Sequence, residues 1–426
     1  MGLTSKLDKL KIGHEHSEKA NAVDGADTDD IDEMDNEGQS ILMGIIAQLR
    51  PGMDLSRITL PTFILEKKSM LERITNFFQI PDLLLKANET SDDMDRFILI
   101  LAWYLASWHI APKAVKKPLN PVLGETFNCY WNNIQGNHSA YYISEQVSHH
   151  PPKSAYFYLV PDSKIKVDGI LIPKSRFLGN SSAAMMEGWA HLTLGEHNGE
   201  IYEMNQPNVY CRGILFGKMK MELGDHMFVK CEKTGIEADI EFKTKGFISG
   251  TYDAIDGYIK DSKTSENRYH ITGKWNEVME IKDLKTGKKR VLVDTKKTIP
   301  AKPKVRSLDE QGEYESRRLW KPTVDALAKR DHTVATDEKF KIEDEQRDLA
   351  KKRLEDGVEF HPKFFRPVND KEIDLQDLEY VIYKKFDLND DPEILTKEVM
   401  SIAPIVPGQK YEEKFEIPAF KKHEQS

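Results

Sequence analysis

Hydrophobic positions along the chain change period several times. Residues 1–38 carry few aliphatic side chains and many charges. Such a segment cannot bury enough apolar surface to offset chain entropy, so a disordered acidic tail is expected. Ile41, Leu42, Ile45, Ile46 and Leu49 then recur at helical spacing, with Ser40 placed to cap the start and Pro51-Gly52 to stop it. The polar face of this short helix offers one cation, Arg50, where membrane-surface helices usually present several. A helix that closes a cavity or packs on a core is therefore preferred to one lying on a bilayer. Thr59 to Glu66 read as an extended apolar segment, because Pro61 excludes helix there. Two largely apolar helical patterns follow, near 68–88 and 93–110, each expected to be mostly buried.

From about 122 to 295 the period shortens to two. Alternating or β-branched runs recur at Thr126–Trp131, Ala140–Val147, Ala155–Val160, Ile165–Ile172, His226–Cys231, Ile236–Phe242, Tyr269–Trp275 and Val291–Asp294. Turn material such as Asn198-Gly199, Asp256-Gly257 and Thr286-Gly287 separates them. Regular short strands predict a large antiparallel sheet, and rolling it into a barrel removes its exposed edges. A barrel of this size can enclose a lipid-sized cavity. Pro300, Pro303, Lys302, Lys304 and Arg306 mark the exit, and helices are expected near 310–330 and 336–356. For the second, Thr336 suits the N-cap and Gly357 the residue past the end. The tail from 358, rich in Phe, Pro and charge, reads as irregular structure packed on the body. The class is α+β, with no internal repeat of the kind that marks solenoids or propellers.

Composition narrows the function. The 426 residues carry a net charge of −9, and Asp24 to Glu37 alone hold eight acidic and no basic residues. Without them the remainder is at −1, which is neither the basic footprint of a nucleic-acid binder nor a strong anchor for anionic membranes. Three widely spaced cysteines without CxxC argue for a reducing compartment and against a zinc site. The longest apolar run, Phe97 to Ala111, is too short to span a bilayer and contains Ser107 and His109. Membrane contact is expected to be peripheral. G-x-S-x-G, HExxH and Cys/His metal spacings are all missing, so an enzyme is not expected.

Three constellations carry candidate chemistry. Lys339, Glu343 and Arg347 sit four residues apart, and each step drifts only ~40°, so they share one helix face. They form either an ordinary surface ladder or a Glu343 brace that presents Lys339 and Arg347 to an anion. Lys117 and Asn120 lie in a loop just before the first strand, stiffened by Pro118 and Pro121, either a plain turn or a contact to a polar headgroup. Glu145-Gln146-Val147-Ser148-His149-His150-Pro151-Pro152 runs out of an alternating segment. Consecutive side chains on extended backbone point to opposite faces, so His149 and His150 meet one ligand only if the strand end is twisted or bulged.

The octapeptide 145–152, the stretch Lys116-Lys117-Pro118-Leu119-Asn120-Pro121-Val122-Leu123-Gly124-Glu125, and Lys339, Glu343 and Arg347 occur in the order of three signatures of the oxysterol-binding-protein-related lipid transfer family. The chain resembles that family over roughly residues 40 to 420. The resemblance implies an incompletely closed barrel around a lipid tunnel, with an N-terminal lid and flanking helices. The expected division is an acidic tail (1–38), a lid helix and extended segment (39–66), and a lipid-binding domain (67–420) built of helices 68–110, barrel 122–295 and a C-terminal helical region 305–420. It further implies that Lys117, Asn120, His149, His150, Lys339, Glu343 and Arg347 bind the headgroup of phosphatidylinositol 4-phosphate. Leu60-Pro61-Thr62-Phe63-Ile64-Leu65-Glu66 and Pro173 to Ser182 resemble the fungal phosphatidylserine-transporting subgroup. By that resemblance Leu60, Thr62, Ile64, Asn120 and Ser175 contact phosphatidylserine. The expectation is a cytoplasmic monomer without cofactor or metal. It would exchange phosphatidylserine for phosphatidylinositol 4-phosphate at endoplasmic reticulum–plasma membrane contact sites, positioned by a tethering protein. A sterol/phosphoinositide exchanger and a lipid-gated adaptor are the alternatives.

Overall fold

A computed structural model describes residues 44, 49–54, 62–110, 115–213, 219–246, 250–412 and 420–422. The expected acidic tail, nearly all of the lid helix, and Leu60 lie outside these residues.

The first helical pattern is broken where its sequence is least helical. Met70–Arg73 form one turn, Ile74–Phe78 continue as 3-10 helix, and α1 spans Pro81–Asn88. Pro81 crowds the residue before it, and Ile80 accordingly leaves the helical region at φ −121°, ψ 63°. Helix α2 spans Asp93–Ser107; the Asp92 carboxylate accepts from the Asp95 N–H at 2.9 Å and caps it. Further on lie α3 (Lys321–Ala328), α4 (His332–Asp356) and α5 (Pro392–Met400). The helix expected over 310–330 is therefore split, into Ser316–Leu319 and α3. The N-cap of α4 is Asp331, whose carboxylate accepts from the Val334 N–H at 3.0 Å. Thr336, expected as the cap, lies inside and donates its hydroxyl back to the His332 carbonyl at 2.7 Å. Gly357 ends α4 in the left-handed region at φ 62°.

Strands β1 (Leu65–Ser69) and β2 (Lys117–Leu119) pair in parallel as a small ribbon. The main sheet is built from β3 (Thr126–Ile134), β4 (His138–His149), β5 (Pro152–Val160), β6 (Ile165–Phe177), β7 (Ser181–Glu187), β8 (Ala190–Leu194), β9 (Glu200–Met204) and β10 (Asn208–Arg212). It continues through β11 (Lys220–Cys231), β12 (Ile236–Lys243), β13 (Ala254–Asp261), β14 (Asn267–Lys274), β15 (Val278–Asp283) and β16 (Lys289–Asp294). Its path runs β3-β4-β5-β6-β7-β10-β11-β12-β13-β14-β15-β16, with β8 and β9 branching between β6 and β11. The ring is not fully closed: among the described residues β3 and β16 do not pair with each other. Tyr130 of β3 instead exchanges backbone hydrogen bonds with Lys304 (3.0 and 2.8 Å).

Strand alternation sorts side chains into two cores. Phe127, Tyr142, Tyr156 and Tyr158 face the helices, where the Phe78 ring stacks on Tyr158 with centroids 4.2 Å apart. Tyr141, Ile143, Phe157 and Leu159 face the opposite way and meet Phe364, Leu395 and Ile402. A buried ion pair ties helix to sheet. Arg96 of α2 donates Nε and Nη2 to the two carboxylate oxygens of Glu200 on β9, both at 2.8 Å. The side chains are 2% and 3% exposed.

Candidate functional site

Three segments distant in sequence converge at one end of the sheet. The first is the β1–β2 ribbon. Leu65 is the register partner of Lys117, and Lys116 Nζ donates to the Phe63 carbonyl at 3.0 Å. Lys117 thus sits in a strand, where a loop was expected. Asn120 follows it, exposed. Burial holds the Lys117 ammonium below its usual range; the positive charge of Lys339 adds to this, while Glu343 and Asp54 oppose it.

The second segment is the turn between β4 and β5. The register shifts between Gln146 and Ser148, the bulge that the paired histidines required. His149 holds the last ladder position, opposite Pro152, and His150 lies in the turn, joined to Pro151 by a cis peptide bond. Gln146 Nε2 donates to the Ser148 carbonyl at 2.9 Å, and the Ser148 hydroxyl donates to the Pro151 carbonyl at 2.7 Å. The braced turn sets the two imidazoles side by side, centroids 4.4 Å apart at 66°. His149 is held below the usual imidazole range, first by burial and then by its neighbour His150. Glu343 pulls it up and Arg353 pushes it down.

The third segment is α4. Lys339, only 13% exposed, donates to Glu343 one turn on. Glu343 is therefore the hub: its carboxylate pairs with Lys339 and acts electrostatically on both Lys117 and His149. Arg347 continues the stripe but is 62% exposed and donates to Asp344 on the outer side. Two participants were not legible beforehand. Arg353 stands ten residues beyond Glu343, about 80° round the helix from it and about 40° from Lys339, off the four-residue spacing that picks out the other three. Asp54 is brought in by backbone pairing, as its neighbours bond to the end of β6: Gly52 N–H to Phe177 O at 2.6 Å and Phe177 N–H to Met53 O at 3.0 Å.

The same pairing brings β6 to the site. Ser175, half-buried, lies between Lys174 and Arg176, which line a cavity of about 580 Å³ with Trp189 and Gln206. Strand alternation turns Ser175 to the other face. Thr62 is buried, with its hydroxyl 3.2 Å from His332 Nδ1 and 3.4 Å from the His332 carbonyl, at the start of α4. Ile64 is buried in the same 3-10 turn.

Glu145, within the histidine motif, anchors the C-terminal region. Its carboxylate accepts the Lys363 and Phe364 N–H groups at 2.6 and 2.8 Å. Burial pushes its pKa up to about 7 against those hydrogen bonds. The folded chain therefore holds a proton that the unfolded chain, near 4.5, releases. The stabilisation is fully present below about pH 4.5 and is lost as pH rises through 7, up to about 3 kcal/mol. Thermal melts at pH 5 and 8 should show a larger fall for wild type than for Glu145→Gln; parallel falls would remove Glu145 as the cause.

Among the described residues, no cluster of three or more His, Cys, Asp or Glu side chains is placed to hold a metal. No described helix is long and apolar enough to cross a membrane.

Residues 44–326 match the family model described as oxysterol-binding protein. The chain is 83% identical over the whole of both chains to oxysterol-binding protein-like protein OBPa of Candida albicans. It is 60% identical to oxysterol-binding protein homolog 6 of Saccharomyces cerevisiae, over 93% of this chain and 88% of that one. Among solved structures it resembles the Osh1 ORD domain in complex with cholesterol (TM-score 0.68, 24% identity, 83% of this chain and 88% of that one). It also resembles the Osh3 ORD of Saccharomyces cerevisiae in complex with PI(4)P (TM-score 0.59, 22% identity, 84% and 92%). The chain belongs to the oxysterol-binding protein family, whose members are lipid-binding and lipid-transfer proteins.

Proposed function

We propose that this protein exchanges phosphatidylserine for phosphatidylinositol 4-phosphate between two membranes. The observation that carries the reading is the convergence of Lys117, His149 and Lys339 on the single carboxylate of Glu343. Two lysines and an imidazole around one carboxylate can accept a phosphate at low reorganisation cost, because the donors are already oriented. Asn120, His150 and Arg347 complete the patch, Arg347 by turning from Asp344 to the ligand. The family of the chain and the PI(4)P bound by the Osh3 ORD support the same headgroup. Phosphatidylserine is the second ligand in this reading, with Leu60, Thr62, Ile64, Asn120 and Ser175 along its path. The resemblance of residues 60–66 and 173–182 to the phosphatidylserine-transporting subgroup supports it.

No bond is made or broken. Two lipids compete for one cavity, and the gradient of the phosphorylated lipid gives direction. The protein works peripherally at endoplasmic reticulum–plasma membrane contacts, held there by a tether. Mass spectrometry of copurifying lipids tests the ligand pair: phosphatidylserine and phosphatidylinositol 4-phosphate are expected. Sterol in place of phosphatidylserine would transfer the account to a sterol exchanger, and absence of the phosphoinositide would overturn the headgroup assignment.

A further inference from the structure

A second basic hollow lies on the ribbon that carries Lys117. A cavity of about 550 Å³ opens between β1, the Met70–Phe78 turns, the 302–308 connection and the start of α3. Its cations are Lys67, Lys68, Lys302, Arg317 and Lys321. Among the described residues the lining holds two carboxylates, Glu72 and Asp325, and carries a net +3. Both carboxylates are used to orient cations. Arg317 donates to Glu72 through Nη2 at 2.7 Å and Nε at 3.2 Å, and Lys321 Nζ lies 2.6 Å from Asp325.

Two further features point to an anion. Two amides are buried in the wall, Asn76 and Gln79, and Asn76 uses its carbonyl oxygen to accept from Gln79 Nε2 at 3.2 Å, which leaves its Nδ2 hydrogens for a ligand. Helix α3 also begins at the hollow, with Trp320 at its N-cap and no side chain capping its first turn. Pro322 carries no N–H, so the first turn offers the Lys321 and Thr323 amides, with the helix dipole, to negative charge.

We propose that this hollow is a second anion site that takes a phosphomonoester or pyrophosphate group, distinct from the patch around Glu343. Leu65, not Lys68, is the register partner of Lys117. At ~3.3 Å per residue the two sites are about 10 Å apart along the ribbon. A phosphate in the hollow would sit beside the mouth, as either a membrane lipid headgroup or a soluble phosphate compound.

The test uses the full chain carrying His149→Ala/His150→Ala, so that the first patch does not dominate. Titration with inorganic pyrophosphate should give binding that Lys68→Glu/Lys302→Glu weakens at least about tenfold. Lys385→Glu, a reversal at an 84% exposed lysine that does not line the hollow, should leave it unchanged. Flotation with phosphatidylcholine vesicles containing phosphatidic acid separates the sources. Loss of both signals in Lys68→Glu/Lys302→Glu identifies a lipid headgroup; loss of pyrophosphate binding alone identifies a soluble ligand. Should the double reversal fail to fold, Lys321→Ala carries the same expectation of weakened pyrophosphate binding. No pyrophosphate binding to the double-histidine variant, or equal weakening by Lys385→Glu, would overturn the site.

Discussion

The His149→Ala/His150→Ala protein should lose phosphatidylinositol 4-phosphate, its retention on incubation with liposomes falling about a hundredfold or more. Each imidazole removed takes away a donor facing the phosphate, and a hydrogen bond to a charged group contributes about 1.5–3 kcal/mol. The effect should depend on pH with a definite sign. In the free protein, burial and His150 depress the His149 imidazole. A bound phosphate favours the protonated ring and raises it. Binding is therefore strongest at low pH and weakens as pH rises through the value in the complex. The fold should survive, because His149 is only half-buried and His150 exposed. Unchanged retention of the phosphoinositide by a folded double variant would remove the histidines from the headgroup site.

Arg96→Ala should be the most destabilising single substitution considered, at about 3–5 kcal/mol, because it leaves a buried carboxylate without its partner. Arg96 also donates Nη1 to the carbonyls of Thr90 (2.9 Å) and Ser91 (3.0 Å), so one side chain closes the loop before α2 and joins α2 to β9. A loss of this size corresponds to a fall of roughly 5 °C in Tm for a chain this long. Arg96→Met combined with Glu200→Gln should recover part of it, since Gln removes the charge and keeps an acceptor for the Tyr202 hydroxyl. Differential scanning calorimetry of wild type and the two variants checks both statements. Equal melting of wild type and Arg96→Ala would show that the pair contributes nothing net.

Much of the sheet was legible because its strands alternate. Ile236–Lys243 buries every second residue, and the sequence pattern announces it. Strand β7 does not: Ser-Ser-Ala-Ala-Met-Met has no period of two, and its residues are mostly half-buried between β6 and β10. The branch at β8–β9 was likewise hidden, since two strands of five residues carry too little pattern to show which partners they take. The start of α4 was misplaced because Asp331 and Thr336 are both competent caps, and only the packing of His332 against Thr62 and Phe63 extends the helix back to the first. At the site, the helix period correctly put Lys339 and Glu343 together, but it could not foresee that Arg347 would choose Asp344. The meeting of α4 with residues 117 and 149 depends on contacts across two hundred residues of chain, which no local period encodes. That meeting was foreseen only through the resemblance of the three motifs to a known family, and Arg353 and Asp54 lie outside those motifs.

Transfer of a fluorescent phosphatidylserine between donor and acceptor liposomes by the purified protein, with and without phosphatidylinositol 4-phosphate in the acceptor, addresses the exchange directly. The account predicts transfer that accelerates when the acceptor contains the phosphoinositide, with reciprocal movement of the phosphoinositide to the donor, and loss of that acceleration in His149→Ala/His150→Ala. No transfer of phosphatidylserine under either condition, or transfer indifferent to the phosphoinositide, would contradict it.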